Sequence, residues 1–323
     1  MWIIWSSISI LLYALCEIYQ KKSSKISEPH SESKLLIWFG LFGLLVAFVV
    51  SVFGLRETNE SFITMAIENP AIVLSTIFYF VSLLFAFLSL KLIPVSIEAP
   101  IANTCGCLSF VGAIILFTLL GEYEKIAEEV TLVKVILVIV IFAIVIIFSD
   151  IYHDKIEDGE ELSEYEINKR LGNRSKAVYY AVLGIILVIM SAIFDAANSV
   201  VSYYILNEVA DSNDYLYFTN LLFFIFGVIV WVYISIKEKK IYNPFTKDQL
   251  PKAIGSGFDC LGTVAAVLAI NANQFYSDPV ISTYFIFTVA LSGIMLKEKL
   301  DRKQYLCIIL LVLCIVSFAF LDL

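Results

Sequence analysis

Residues 90–106 read LKLIPVSIEAPIANTCG, and they interrupt a chain that is dominated by long runs of Ile, Leu, Val and Phe. The stretch contains Pro94 and Pro100, and Glu98 lies between them. A helix that only crosses an apolar layer does not need a carboxylate flanked by two prolines. The stretch therefore raises the question of whether these residues form a functional interruption of a membrane helix.

The composition of the whole chain predicts a membrane protein. Of its 323 residues, 60% are hydrophobic and only 16% are charged, whereas a soluble domain carries about 25% charged residues. Apolar runs of about twenty residues, the length that crosses the hydrocarbon core, recur along the chain. Open sheet edges are not tolerated in lipid, so we predict an all-α integral membrane protein. The ten predicted membrane helices span 2–20, 35–54, 70–90, 95–120, 131–149, 177–205, 215–236, 251–273, 279–296 and 304–321.

The basic residues predict how these helices are oriented. The connections after the first, third, fifth, seventh and ninth predicted helices hold 19 of the 22 Lys and Arg residues. By the positive-inside rule these connections face the cytoplasm, so both termini are expected on the outer face of the plasma membrane. The first run is interpreted as a retained helix, because no basic residue precedes its apolar core and no cleavage site is evident.

A polar connection in the middle of the chain divides the predicted helices into two sets of five. We predict a first five-helix repeat at 1–150, a cytoplasmic linker at 151–176 and a second five-helix repeat at 177–323. Because each half has an odd number of helices, any repeat must be inverted, as in many secondary transporters. Short similarities support the repeat, namely ALCE at 14–17 with AIFD at 192–195, GEYEK at 121–125 with KEKLD at 297–301, and PVSIEAPI at 94–101 with SDPVISTY at 277–284.

Four acidic residues lie inside the predicted spans, namely Glu17, Glu98, Asp195 and Asp259. A charge at membrane depth costs at least about 2.5 kcal/mol, so such residues usually face a cavity or a partner. The alternative is a carboxylate that reaches the lipid headgroups from a helix end. This alternative applies to Glu17, one turn from Lys21, and to Glu98, whereas Asp195 is expected to lie deeper.

Polar and small residues share helical faces with these acids. The face of the sixth predicted helix carries Ser191, Asp195, Asn198, Ser199 and Ser202. Small residues accompany Glu98 and Asp259 in the same way, and Tyr284 shares a face with Thr288 and Ser292 on the ninth predicted helix. Gly and Ala alone would indicate close helix packing. An acid in the middle of such a face favours a polar central cavity.

The predicted cavity is anionic, because no Lys or Arg lies deep within a predicted span. Acids without basic partners favour protons or a cationic group, and nearby tyrosines would add cation–π contacts. For most of those tyrosines an interfacial aromatic belt is the alternative. The six cysteines are interpreted as packing residues, with a soft-metal site at Cys105 and Cys107 as the alternative.

The opening stretch also resembles part of a known family. LKLIPVSIEAPI, followed by GAIILFTLLGE, resembles the third-to-fourth-helix region of EamA-like members of the drug/metabolite transporter superfamily. Residues 278–320, which begin DPVISTYFIFTV, resemble the equivalent region of the second half. The resemblance implies ten helices in two inverted halves and the transport of metabolites, amino acids, drugs or nucleotide sugars. It also implies that Glu17 occupies the position of the first-helix glutamate of the small multidrug members.

The leading hypothesis is a secondary active transporter that moves a small cationic or zwitterionic metabolite by alternating access, with proton coupling. Substrate or proton binding is assigned to Glu17, Glu98, Asn103, Asp195, Asn198, Asp259 and Tyr284. The predicted partners are the small-molecule substrate, protons and the lipid bilayer, with no cofactor, metal or nucleic acid. Ten helices suffice for a pathway within one chain, and the sequence leaves a monomer and a homodimer open.

Two other functional classes were weighed against the transporter. An integral membrane enzyme acting on a lipid-linked substrate is disfavoured, because His30 and His153 are the only histidines and no metal-ligand or nucleophile motif accompanies them. A channel is disfavoured because no segment resembles a selectivity filter.

Overall fold

A computed structural model describes residues 2–25, 28–58, 61–121, 131–158, 174–208, 211–272, 281 and 283–320. This part of the chain forms twelve α-helices and contains no strand. The helices are α1 (Trp2–Ser23), α2 (Ser31–Val52), α3 (Phe62–Glu68), α4 (Pro70–Leu92), α5 (Val95–Ala102), α6 (Cys105–Leu120), α7 (Leu132–Asp158), α8 (Arg174–Glu208), α9 (Ser212–Lys237), α10 (Leu250–Ala272), α11 (Tyr284–Leu291) and α12 (Arg302–Phe320).

Six of these helices, α1, α2, α4, α7, α8 and α9, contain segments long and apolar enough to cross a membrane. They support the predicted class of α-helical membrane protein. The helix α3 was not predicted. It begins after Ser61, whose side chain accepts a hydrogen bond from the backbone N–H of Thr64 at 3.1 Å and so caps the first turn.

The structure divides the fourth predicted helix into α5 and α6, so the single helix predicted over 95–120 is wrong. Pro100 lies inside α5 and has no N–H to donate to the carbonyl of Ser96. The side chains of Asn103 and Thr104 donate to the carbonyls of Ala99 and Ile101 at 3.0 and 2.7 Å, which satisfies the end of α5. The face that we predicted from Glu98 onward is therefore interrupted at 103–104.

Most of the packing joins helices from the first half of the chain to helices from the second. α1 packs along α10, α2 packs along α9, and α4 packs along α8. In addition, α5 contacts α8 and α11, α1 contacts α11, and α7 contacts α12. The largest apolar core is built from α4, α5, α7, α8, α11 and α12, with Phe148 and Phe285 fully buried in it.

Two glycines bring the backbones of α2 and α9 together. A Cβ atom on Gly40 would lie 2.9 Å from the carbonyl oxygen of Phe223 and 3.0 Å from the Cα atom of Gly227. Small residues at a helix crossing allow this close approach in membranes. Neither helix can accept a side chain at this point without moving backbone atoms.

We expect Gly40→Ala to destabilise the protein by about 1–3 kcal/mol, the usual cost of adding atoms to a packed contact. Gly293→Ala is the matched control, because its added Cβ would meet only the carbonyl oxygen of Glu298 at an ordinary 3.8 Å. Thermal denaturation of the purified variants in detergent measures the difference. Equal melting temperatures for both variants would show that α2 and α9 are not held at this crossing.

Ion pairs join α2 to α9 at both ends of this crossing. At one end Lys34 Nζ lies 2.9 Å from a carboxylate oxygen of Glu238, and at the other end Arg56 Nε lies 3.1 Å from Asp214 Oδ1. Glu28 contributes a further ion pair at the first of these ends, where its Oε2 lies 2.6 Å from Nζ of Lys252 on α10. The two helices are thus fixed by backbone contact in the middle and by charge at each end.

The Glu28 cluster predicts how stability changes with pH. Burial acts to raise the pKa of Glu28, but hydrogen bonds from Lys252 and Gln249 and the charges of Lys252 and Lys34 outweigh it, so the pKa is lowered. A lowered carboxyl pKa contributes stability above the unfolded pKa of about 4.3, and this contribution is lost as the pH falls. Lys34 lowers the pKa of Glu238 in the same way.

We therefore expect Glu28→Gln to lower the melting temperature near neutral pH and to lower it much less below about pH 4. Melting curves of the wild type and the variant across this pH range measure the effect. Asp248→Asn, at an exposed position nearby, is the control. If the difference in melting temperature between the wild type and Glu28→Gln stays constant from neutral to acid pH, the charge of Glu28 is not the source of this stability.

Candidate functional site

The four acids predicted from the sequence are buried or partly buried, and they repel one another electrostatically in a chain of neighbours. Electrostatic interactions link Glu98 to Glu17, Glu17 to Asp259, and Asp259 to Asp195. The residues lie on α5, α1, α10 and α8 respectively, so each half of the chain contributes two of them. We call Glu98, Glu17, Asp259 and Asp195 the acid line.

Glu17 contacts a helix of the other half of the chain. The phenol oxygen of Tyr284 on α11 donates to Glu17 Oε1 at 3.0 Å, and Thr288, one turn further along, lies beside the same carboxylate. Asn103, at the end of α5, lies within hydrogen-bonding reach of Tyr284. The structure thus brings together three predicted site residues, Glu17, Asn103 and Tyr284.

Asp259 lies on a polar seam between α10 and α1. The thiol of Cys16 donates to Asp259 Oδ1 at 3.7 Å, and Gln20 Nε2 donates to Cys16 Sγ at 2.8 Å. One turn away on the same seam, Tyr13 donates to Thr263 at 3.2 Å. Cys16 was interpreted as a packing residue only, and its contact with Asp259 adds a polar role to that interpretation.

Asn198 belongs to a different group from the one predicted. Its side-chain oxygen accepts a hydrogen bond from Ser75 at 2.8 Å, and Ser75, Ser202 and Tyr215 are hydrogen-bonded to one another over 2.6 to 3.1 Å. This cluster ties α4 to α8 and α9. It borders the acid line only through Asp195, which interacts electrostatically with Tyr215.

Aromatic rings lie beside the acid line. The rings of Tyr13 and Tyr284 have centroids 5.4 Å apart, and Tyr13 and Tyr79 both interact electrostatically with Asp259 and Asp195. These three tyrosines face the interior, so the interfacial belt does not describe them. It does fit Tyr204, whose side chain is exposed.

Two carboxylate oxygens in the acid line lack partners among the described residues. They are Oε2 of Glu17 and Oε2 of Glu98, both buried from solvent. Glu98 as a whole is only 2% exposed. A buried acceptor left unpaired is costly, and it usually indicates a site that takes up water, a proton or a ligand.

A lysine lies nearer to the acid line than the sequence predicted. Lys21 is placed one turn beyond Glu17 on α1, and its ammonium interacts electrostatically with Glu98 and Glu298. It donates to the backbone carbonyls of Leu90 and Ile93 at 2.5 and 2.6 Å. Lys21 therefore adds a positive charge near the Glu98 end of the line, which the sequence analysis did not assign to it.

Sequence reasoning also missed Glu298 and Gln20. Glu298 accepts hydrogen bonds from the backbone N–H groups of Val95 and Ser96 at 3.1 and 2.9 Å, which caps α5. The spacing of Cys16 and Gln20 by four residues would have placed Gln20 on the face that carries Cys16. No local signal identifies Glu298, because its contact joins residues about two hundred positions apart.

The structure gives no support for a metal centre within the residues it describes, where no group of three His, Cys, Asp or Glu residues could hold an ion. Cys105 is not in a disulfide, and the side chain of Cys107 lies outside the described residues. The proline segment at 277–280 and the segment at 122–125, which were used for the repeat, lie outside them as well.

The chain matches no protein-family model, and no curated protein matches its sequence. The functional assignment therefore depends on the acid line, on the residues that surround it and on the pairing of the helices.

Proposed function

We propose that the protein is a secondary active transporter that moves a small cationic or zwitterionic metabolite by alternating access. The observation that carries the proposal is the acid line, in which acids from both halves of the chain act on one another electrostatically between the packed helices of an apolar protein. Intramembrane acids mark substrate and proton pathways more often than they serve structure alone.

The pairing of the helices supports two inverted repeats of five helices each. In this scheme α1, α2, α4, α5 with α6, and α7 correspond to α8, α9, α10, α11 and α12. If each helix is replaced by its counterpart in the other half, the α1–α10 pair becomes the α8–α4 pair. The contact of α5 with α8 likewise becomes the contact of α11 with α1. The same replacement leaves three pairs unchanged, because their two members are counterparts of each other: α2–α9, α5–α11 and α7–α12. The same scheme supports an EamA-like arrangement within the drug/metabolite transporter superfamily.

The residues around the acid line favour an amine as the substrate. Carboxylates attract an ammonium group, and the rings of Tyr13, Tyr79 and Tyr284 would provide cation–π contacts to it. Glu17 and Asp259 lie in the middle of the line, so we assign the primary cation contact to them. Asn103 and Tyr284 would orient the polar part of a zwitterionic substrate.

Proton coupling follows from the same arrangement. Closely spaced carboxylates in a medium of low dielectric constant repel one another, so a proton and a cationic substrate compete for the same oxygens. An exchange of a proton for an amine keeps the charge of the site balanced. We assign the proton to the Glu17–Asp259 pair and propose a plasma-membrane protein with both termini outside.

The alternative classes have less support in the structure. A membrane enzyme would need an activated nucleophile or a metal beside its acids, and the Cys16 thiol, a nucleophile that the described residues place against an acid of the line, only donates a hydrogen bond to Asp259. The unpaired oxygens of Glu17 and Glu98 fit a site that binds and releases a cation. Turnover of a lipid-linked substrate without net transport would favour the enzyme, and sustained single-channel currents would favour a channel.

Uptake by proteoliposomes tests the proposal. We expect an inside-acid pH gradient to drive accumulation of at least one member of a panel of quaternary amines, polyamines and zwitterionic amino acids. Liposomes without protein and gradients collapsed by an ionophore are the controls. If Asp195→Asn and Glu98→Gln both leave uptake and its pH dependence intact, the acid line is not the site.

Tyr284→Phe gives a graded test of the same site. The variant removes the hydrogen bond to Glu17 and keeps the ring, so we expect a roughly tenfold loss of uptake efficiency with little change in stability. Tyr305→Phe is the control, because Tyr305 is half exposed on α12 and remote from the acids. If Tyr284→Phe and Tyr305→Phe reduce uptake equally, the Tyr284 hydroxyl does not serve the site.

A further inference from the structure

The break between α4 and α5 is held by two residues of opposite charge. Lys21 donates to the carbonyls of Leu90 and Ile93, where α4 ends, and Glu298 accepts from the amides of Val95 and Ser96, where α5 begins. A helix presents partial negative charge at its C-terminus and partial positive charge at its N-terminus. Each charge therefore lies against the helix end that it stabilises.

The two residues also come from different halves of the chain. Lys21 lies in α1, whereas Glu298 follows the π-helical turn Ser292–Leu296 that extends α11. At the end of that turn Lys297 has a positive φ of 59°, which reverses the chain and presents Glu298 to α5. The Glu298 contact thus closes the gap between the halves at the end of the bundle that we expect to face the cytoplasm.

Lys21 connects this closure to the acid line. Its ammonium interacts electrostatically with both Glu298 and Glu98, and Glu98 in turn interacts with Glu17. Glu98 is buried two residues after the amides that Glu298 caps. A cation that binds at Glu98 or Glu17 therefore interacts electrostatically with Lys21, the residue that holds the end of α4.

We propose that Lys21 is a positioning residue that acts as a tethered counter-cation. In the closed state it neutralises the Glu98 end of the acid line and, together with Glu298, holds the α4–α5 break shut. A substrate cation at the acid line replaces Lys21 as the partner of the carboxylates, which weakens the closure at that end. This inference rests on the proposed function, and it adds a coupling between cation binding and the opening of one gate.

Hydrogen–deuterium exchange of the wild type and variants in nanodiscs tests the closure without any substrate. We expect Glu298→Gln to accelerate amide exchange at the start of α5, and Lys21→Met to accelerate it at the end of α4, each about tenfold, the effect of losing a helix cap. Lys21→Arg and Glu298→Asp, which keep the charges, should exchange more slowly than those two variants. Arg302→Gln, at an exposed position at the start of α12, is the control.

The charge-reversed double variant K21E/E298K distinguishes this closure from a simple ion pair. Each charge would then face the wrong helix end, so we expect exchange to stay fast although the pair is restored. Slow exchange in the double variant, or wild-type exchange in both single variants, would overturn the proposal. Both results are independent of whether the protein transports an amine.

The affinity for a transported amine tests whether Lys21 competes with the substrate cation for the carboxylates. With the tethered cation removed, Lys21→Met should bind the amine about three- to tenfold more tightly while its maximal transport rate falls. A purely structural lysine would not raise the affinity when it is lost, so unchanged or weaker binding would overturn the competing role. If no amine binds the wild type, the proposed function fails, and the exchange experiment still decides the closure.

Discussion

Glu17→Gln is expected to reduce amine uptake by about a hundredfold or more, the largest functional effect predicted for this protein. The substitution keeps the shape of the side chain but removes a buried charge, and loss of one partner from a buried charge pair costs about 2–5 kcal/mol. Glu17 lies in the middle of the acid line, between Glu98 and Asp259, and it accepts the hydrogen bond from Tyr284. Initial rates in proteoliposomes at saturating and limiting substrate measure the loss.

Glu68→Gln is the matched control, because it makes the same chemical change at an exposed position at the end of α3. We expect it to transport like the wild type. The melting temperature of Glu17→Gln should stay close to that of the wild type, since the amide retains the hydrogen-bonding atoms. Wild-type uptake by a well-folded Glu17→Gln would remove Glu17 from the site.

Asp214→Ala is expected to have the largest effect on stability, a loss of about 3–5 kcal/mol. The carboxylate of Asp214 is fully buried, pairs with Arg56 at 3.1 Å and accepts hydrogen bonds from the backbone N–H groups of Glu57 and Thr58 at 3.2 and 2.9 Å. Its removal takes this acceptor from the two backbone amides and removes a charge partner of the guanidinium. The guanidinium also lies 4.2 Å from the ring centroid of Tyr217, so the whole loop depends on one carboxylate.

Asp211→Ala provides a graded control three residues earlier. Asp211 caps α9 by accepting from the backbone N–H of Asn213 at 2.8 Å, and loss of such a cap costs about 1 kcal/mol. Melting temperatures and denaturation by SDS rank the two variants. A loss in Asp214→Ala no larger than that in Asp211→Ala would mean that the Arg56–Asp214 pair does not fix the end of the α2–α9 crossing.

The sequence predicted the helical class, and it singled out four acids as candidates for the site, because both inferences depend on local signals. Apolar runs of membrane length identified the long helices, and acids at membrane depth identified Glu17, Glu98, Asp195 and Asp259. Their meeting in one line was expected from the cost of an isolated charge in an apolar medium.

The remaining features depend on contacts that no local pattern records. Asn198 shares a helical face with Asp195, but hydrogen bonds from Ser75 on α4 and Ser202 on its own helix hold its side chain in another cluster. Lys21 was assigned to a cytoplasmic connection, and no local pattern shows that its side chain donates to the carbonyls at the end of α4. The helix break falls at Asn103 and Thr104, whose side chains donate to the last carbonyls of α5 in place of a continued helix.

Counterflow in proteoliposomes tests most directly whether the acid line binds the substrate during alternating access. Vesicles loaded with an unlabelled amine are diluted into labelled amine without any gradient, so only a binding site that alternates between the two sides gives transient accumulation. We predict counterflow in the wild type and none in Asp259→Asn, whose carboxylate joins Glu17 to Asp195. Equal counterflow in the wild type, Asp259→Asn and Glu17→Gln would contradict the account.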